Sequence, residues 1–176
     1  MISLSIDFYV RVFVRVFTSQ KKCKETTSKL GHVYRCTGCE SMHVQRLGEI
    51  SKDDKGNTKY FTSRGPPVDR LCKYCRHPHT FGGPFWLDPI HDMPFVNRLQ
   101  KTLEDIDSTE NNNNFGTLDR MKGMVTLVSE ELPDVPFYFV QDRLCSLMKL
   151  PVGKSTVFRS ALLNAGYRVS MSHANR

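Results

Sequence analysis

An α+β fold is predicted by three features of this 176-residue sequence. Phe8 to Phe17 alternates with the period of two that marks a strand. Cys36-Thr37-Gly38-Cys39 is answered by Cys72-Lys73-Tyr74-Cys75, and two strand-like runs with a polar turn lie between these knuckles. Apolar stripes of helical period follow Trp86. The architecture expected is in three parts: a terminal strand with a basic linker (1–31), belonging to a sheet that lies upstream; a metal-bound ribbon (32–86); and a helical, winged-helix-like domain (87–176).

In the first part, Phe8, Val10, Val12, Val14 and Val16 share one face, and Tyr9, Arg11, Phe13, Arg15 and Phe17 share the other. A strand of this quality needs partners, and the residues after it are polar. Its sheet is therefore expected before residue 1. Arg11 and Arg15 are either solvent-exposed or phosphate-binding. Lys21, Lys22, Lys24 and Lys29 form a basic linker, expected as a solvated loop or an RNA phosphate contact.

The second part is built on metal chemistry. Two knuckles wrap one ion so that four sulfurs, Cys36, Cys39, Cys72 and Cys75, converge tetrahedrally, as a structural Zn2+ site requires. Gly38 is expected to take a positive φ in the first knuckle. Ser51 to Thr58 is the turn between strands spanning Met42 to Ile50 and Lys59 to Ser63, which together read as a zinc ribbon. Disulfides and a redox pair are the competing readings. Basic neighbours and the lack of a thioredoxin-like pattern favour metal. His77 and His79 could each replace a sulfur, but four cysteines suffice. Gly82-Gly83-Pro84 is expected to close the module, with Phe85 and Trp86 packed over it.

In the third part, Phe95, Leu99, Leu103 and Ile106 predict one helix, and Leu118, Met121, Val125, Val128 and Leu132 a second with Thr117 as its cap. Asn111 to Asn114 separates the two. Phe137 to Val140 is short and apolar, Arg143 to Leu150 a third helix, and Thr156 to Ala165 a fourth, capped by Ser155 and stopped by Gly166. Tyr167 to Met171 alternates as a strand. This is a winged-helix order, in which the fourth helix faces a nucleic-acid groove; Lys154, Arg159 and Arg168 lie on or beside it. A plain helical bundle with surface arginines is the alternative.

Charge and composition bound the partners. Twenty-five basic and 18 acidic residues give +7, and four thiolates on one divalent ion leave about +5. An anionic partner is favoured, nucleic acid first. No apolar run is long enough to span a membrane. Six cysteines without a signal peptide suit a reducing, intracellular compartment. Cys23 and Cys145 are expected to be ordinary buried thiols.

Two stretches, Ser5 to Val16 and Phe158-Arg159-Ser160-Ala161-Leu162-Leu163-Asn164-Ala165-Gly166-Tyr167-Arg168-Val169-Ser170, resemble the tRNA guanine-N2 dimethyltransferase family, which methylates guanine 26 of tRNA. The knuckles, Gly82 to Trp86 and Glu131-Leu132-Pro133-Asp134-Val135-Pro136 stand between them in the family's order. The resemblance covers nearly the whole chain and implies the C-terminal half of a eukaryotic-type enzyme that uses S-adenosylmethionine. It makes the N-terminal strand the last one of a methyltransferase sheet, names tRNA as partner, and points to the nucleus, with mitochondrion or cytoplasm as further locations. No glycine-rich strand-to-helix turn and no Asp-Pro-Phe-Gly type motif occur here, and Asp88-Pro89-Ile90-His91 is a decoy. Catalytic and cofactor-binding residues are therefore expected upstream, in a methyltransferase domain of a longer protein of which this chain is a piece lacking both ends. A non-catalytic zinc-ribbon and winged-helix module, or a family paralogue of different activity, is the competing reading.

Overall fold

The computed structural model describes residues 2–5, 16–108 and 116–174. The alternating run 8–15, with Arg11 and Arg15, and the asparagine tract 111–114 lie outside the described residues. The chain divides into two compact units, one spanning 15–88 and the other combining the N-terminal segment with 89–176. Among the described residues, no helix is long and apolar enough to cross a membrane.

The 15–88 unit opens with α1 (Gln20–Lys29), where a basic linker was expected. Ser19 starts the helix: its Oγ accepts from the Lys22 amide at 3.4 Å, which satisfies one of the amides a helix start leaves unpaired. No residue of α1 is buried, so the sequence offered no apolar stripe to reveal it. Cys23, on this helix, is exposed rather than buried.

Five strands follow: β1 (Leu30–Cys36), β2 (Met42–Arg46), β3 (Gly48–Lys52), β4 (Thr58–Thr62) and β5 (His79–Trp86). They form an antiparallel sheet of order β2-β1-β5 and a separate β3-β4 hairpin. The expected strand from Met42 to Ile50 is thus two strands in two sheets. The chain turns at Leu47, whose amide donates to the Leu30 carbonyl at 2.9 Å. The β3-β4 turn is as expected. Gly56 has φ +79°, its amide donates to the Asp53 carbonyl at 2.8 Å, and the Asp53 carboxylate accepts the Lys55 and Asn57 amides at 3.1 and 2.8 Å, an Asx-type closure.

Gly82-Gly83-Pro84 does not close the module; it bulges within β5. Opposite β1, Gly31 pairs with Phe85 but Val33 with Gly82, so β5 carries one extra residue over that span. Gly83 has φ +128°, and a Cβ there would sit 2.7 Å from His32 Nδ1. Phe85 and Trp86 remain 40% and 43% exposed, and Leu87 is the residue buried at this end.

The second unit contains α2 (Met93–Ser108), α3 (Leu118–Glu130), α4 (Gln141–Leu147) and α5 (Ser155–Asn164). The α2-α3 pair buries Val96, Leu103, Leu118, Val125 and Val128, with Leu99, Ile106, Met121 and Ile2 packed against them. Val96, not Phe95, begins the α2 stripe. Each such side chain removed from water contributes about 1.5–3 kcal/mol. Cys145 is buried, as expected. Gly166 ends α5 with φ +84°, and the Tyr167 amide donates back to the Leu162 carbonyl at 3.1 Å, the usual left-handed stop. Phe137–Val140 and Tyr167–Met171 form no strand. The two runs meet no ladder partner; Ser170 instead uses its Oγ to accept the Leu132 amide at 3.1 Å. Ser155 is the first residue inside α5, and Lys154 occupies the cap without a side-chain hydrogen bond.

Candidate functional site

The four knuckle cysteines converge. Their Sγ atoms all lie within 4.8 Å of one another, with Cys36 and Cys75 at 3.2 Å and Cys39 and Cys72 at 3.7 Å. A disulfide needs about 2.05 Å between sulfurs. Four thiolates bound tetrahedrally at about 2.3 Å lie about 3.8 Å apart. The donor set and its spacing fit a closed thiolate site for a divalent ion.

Backbone geometry explains why the sulfurs meet. The first knuckle leaves the end of β1, and the second precedes β5, the neighbour of β1 in the sheet. Each knuckle is followed by a left-handed residue, Glu40 at φ 59° and Arg76 at φ 63°. The expectation of a positive φ at Gly38 is therefore displaced by two residues. Gly38 is required for space instead: a Cβ would fall 2.6 Å from His77 Nδ1 and 2.9 Å from Cys75 Sγ. Its amide points at Cys36 Sγ at 3.3 Å. Glu40, buried, accepts a hydrogen bond from Arg35.

The thiols titrate unequally. The Ser41 hydroxyl, and then the Cys75 amide, hold Cys72 down to about 5. Ser41 also lowers Cys39. Cys75 receives help from the His77 amide, yet Cys36, burial, Cys39 and Cys72 together push it up to about 12. Neighbouring thiolates oppose one another's ionisation, and a divalent cation is what allows all four to be ionised. His77 is not placed as a ligand through Nδ1, which donates to the Cys75 carbonyl at 2.9 Å.

In the second unit, the two quoted stretches Glu131 to Pro136 and Phe158 to Ser170 are stitched together by the Arg168–Asp134 ion pair and the Leu132–Ser170 hydrogen bond. They line a cavity of about 650 Å³ with Phe137, Tyr138, Phe139, Phe158 and Arg159 on its wall. Arg159 Nε is buried without a hydrogen-bond partner. Lys154 is exposed at the start of α5. Arg168 is exposed and already paired, and that carboxylate raises its pKa further. These three residues do not form one basic patch on α5, whose exposed residues include Val157 and Leu163.

Sequence reasoning missed a buried group beside this cavity. Glu131 Oε1 accepts from His173 Nδ1 at 2.7 Å, and Oε2 accepts from His91 Nε2 at 3.1 Å. The Ser3 amide donates to His91 Nδ1 at 3.3 Å, so the His91 proton sits on Nε2 and points at Glu131. That tautomer makes the trio a hydrogen-bonded brace, although its ligand atoms are close enough to surround an ion. Sequence spacing could not show it, because the three residues come from distant loops.

The family model for N2,N2-dimethylguanosine tRNA methyltransferase matches residues 1–176. The chain belongs to this family. Curated tRNA (guanine(26)-N(2))-dimethyltransferases from Mus musculus and Homo sapiens are each 45% identical over 174 residues, covering 99% of this chain and 26% of theirs. The Schizosaccharomyces pombe protein is 44% identical and is covered over 31% of its length. The chain thus spans about a quarter to a third of these family members. The fold is similar to that of Trm1 from Pyrococcus horikoshii, solved with S-adenosyl-L-methionine, at a TM-score of 0.57 and 19% identity over 88% of this chain and 33% of that one.

Proposed function

We propose that this chain is the tRNA-gripping, C-terminal part of an S-adenosylmethionine-dependent enzyme that forms N2,N2-dimethylguanosine at position 26 of tRNA. Family membership, supported by relatives of 45% identity named for that reaction, carries the reading. In the whole enzyme S-adenosylmethionine supplies the methyl group, and a poorly nucleophilic exocyclic amine must be held against it largely by positioning.

The described residues do not fit that cofactor. Both sheets are antiparallel, and no strand leads into a helix through a glycine-rich, phosphate- or ribose-cradling turn. This reading assigns methyl transfer to an upstream methyltransferase domain. The share of this chain is binding: basic side chains on phosphates, and shape rather than base-edge readout. Zn2+ on Cys36, Cys39, Cys72 and Cys75 holds the 15–88 unit together as a ribbon-like module. The α3-α4-α5 order supports a winged-helix-like domain, with Lys154, Arg159 and Arg168, together with Arg11 and Arg15, as RNA contacts. An intracellular setting accords with the reduced cysteines, and one relative is named as mitochondrial.

One titration tests the reading. Folded tRNA is added to the 176-residue chain at several salt concentrations, beside a tritium-transfer assay with S-adenosylmethionine. Binding that weakens linearly in log salt, without methyl transfer, is the expected result. Salt-insensitive behaviour, or no binding at low salt, overturns it in favour of a protein-binding module. Enzyme-dependent dimethylguanosine overturns the assignment of catalysis to the upstream domain.

A further inference from the structure

The 15–88 unit contains fourteen basic and seven acidic residues, whereas the remaining 1–14 and 89–176 contain eleven of each. All of the net charge of +7 therefore resides in the cysteine-bearing unit. Four thiolates on a divalent ion still leave that unit at about +5.

The same unit displays aromatic rings on one sheet face. Tyr34 and Phe81 are opposite each other in the β1-β5 register, with ring centroids 5.2 Å apart. His32, two residues along β1 and so on the same face, stacks on Phe81 at 4.5 Å with planes tilted by 31°. Trp86 pairs with Leu30, also on that face of β1. Trp86 lies five positions after Phe81, and a regular strand would place them on opposite faces. The extra residue at Gly83 restores them to one. Phe81 is 61% exposed and Trp86 43%, and Lys29 Nζ stands 5.9 Å from the Trp86 ring centroid.

We propose that this aromatic face of the β2-β1-β5 sheet, centred on Phe81 and Trp86, is a stacking platform for unpaired nucleotides of RNA. Every base has a π-face, and exposed rings on a positively charged unit bind single strands by stacking while lysines hold the phosphates. A platform of this kind recognises bases that are out of a helix, which duplex RNA does not offer. The proposal deepens the tRNA reading and rests on it, since the RNA expected to supply the unpaired bases is tRNA.

Trp86 is the single tryptophan of the chain, so its emission reports on this face. The probes are an oligouridylate of about 12 nucleotides, within the span such a platform covers, a fully paired RNA duplex of equal length, and folded tRNA. Unpaired RNA should quench Trp86, and duplex should bind with little quenching. Phe81→Ala should weaken the oligouridylate about 10-fold with the salt slope and duplex affinity unchanged, and Phe81→Tyr should restore it. Zinc content and melting temperature establish that each variant is folded; should Phe81→Ala lose its metal, the wild-type comparison of unpaired with paired RNA decides alone. Equal quenching by both RNAs, or a folded Phe81→Ala with unchanged affinity, overturns the platform. Salt-sensitive tRNA binding alongside that result leaves the functional reading standing. Quenching by oligouridylate without tRNA binding upholds the platform and overturns tRNA as its partner.

Discussion

Gly83 lies against His32 so closely that a Cβ at position 83 would fall 2.7 Å from the His32 ring nitrogen and 3.0 Å from the Gly31 carbonyl oxygen. Since Gly83 also has φ +128°, it meets both a steric and a backbone requirement for glycine. This contact sets the bulge that brings Phe81 and Trp86 to one face.

Gly83→Ala is therefore expected to destabilise the 15–88 unit by roughly 1–3 kcal/mol and to change Trp86 emission. Gly56→Ala supplies the contrast. It too has a positive φ but nothing within 4 Å, so it carries backbone strain alone and should cost about 1 kcal/mol. Urea unfolding followed at Trp86 checks both. Equal costs would show that the His32 contact is not decisive.

Cys36→Ser and Cys75→Ser are each expected to abolish stoichiometric zinc and unfold the ribbon, because structural zinc contributes on the order of 10 kcal/mol of folding free energy in small peptides. Elemental analysis of protein purified without chelator is the check. Gly38→Ala should weaken metal retention as well, since its Cβ would press on Cys75 Sγ.

Glu131→Gln should cost roughly 1–3 kcal/mol, because an amide offers an N–H where a carboxylate oxygen accepts from His91 or His173. Acid should act in the same direction. Burial, the largest influence, and His173 hold His91 below its ordinary 6.5 against the opposing pull of Glu131. The unfolded chain then takes up that proton first, and stability falls as the pH drops from about 7 through the folded pKa. Glu131 is raised by burial but lowered further by the His173 amide and the two rings. Its contribution is present above the ordinary carboxylate range and lost as the pH falls through the depressed value. His91→Leu should flatten the first of these steps in melting temperature against pH.

Arg159→Met should leave stability unchanged or slightly higher without RNA, since the buried Nε of Arg159 has no partner to lose. If the side chain reaches a phosphate, tRNA affinity falls and the salt slope drops by about one. A melting temperature lowered by several degrees with an unchanged slope would make Arg159 structural. Arg168→Gln, by contrast, breaks a pair with Asp134 that is exposed and screened by solvent, so it should leave the melting temperature nearly unchanged.

The local signals in the sequence were those carried by short spacing. Cys-x-x-Cys twice over was enough to nominate four ligands, because two residues between cysteines already set a knuckle. The α2 and α3 stripes were legible because a helix buries positions three and four apart, and Gly56 and Gly166 stand where turns and helix ends demand positive φ. Family membership was legible in whole stretches of residues.

Tertiary structure decided what distance along the chain conceals. It made the lysine-rich 20–29 segment a helix without a buried face, and it split Met42 to Ile50 between two sheets because each strand follows a different partner. It left Phe137–Val140 and Tyr167–Met171 without ladders. It joined His91, Glu131 and His173 through hydrogen bonds that no spacing encodes. At Gly83 it inserted one residue into β5, and since side chains alternate along a strand, that single insertion determines which face carries Trp86.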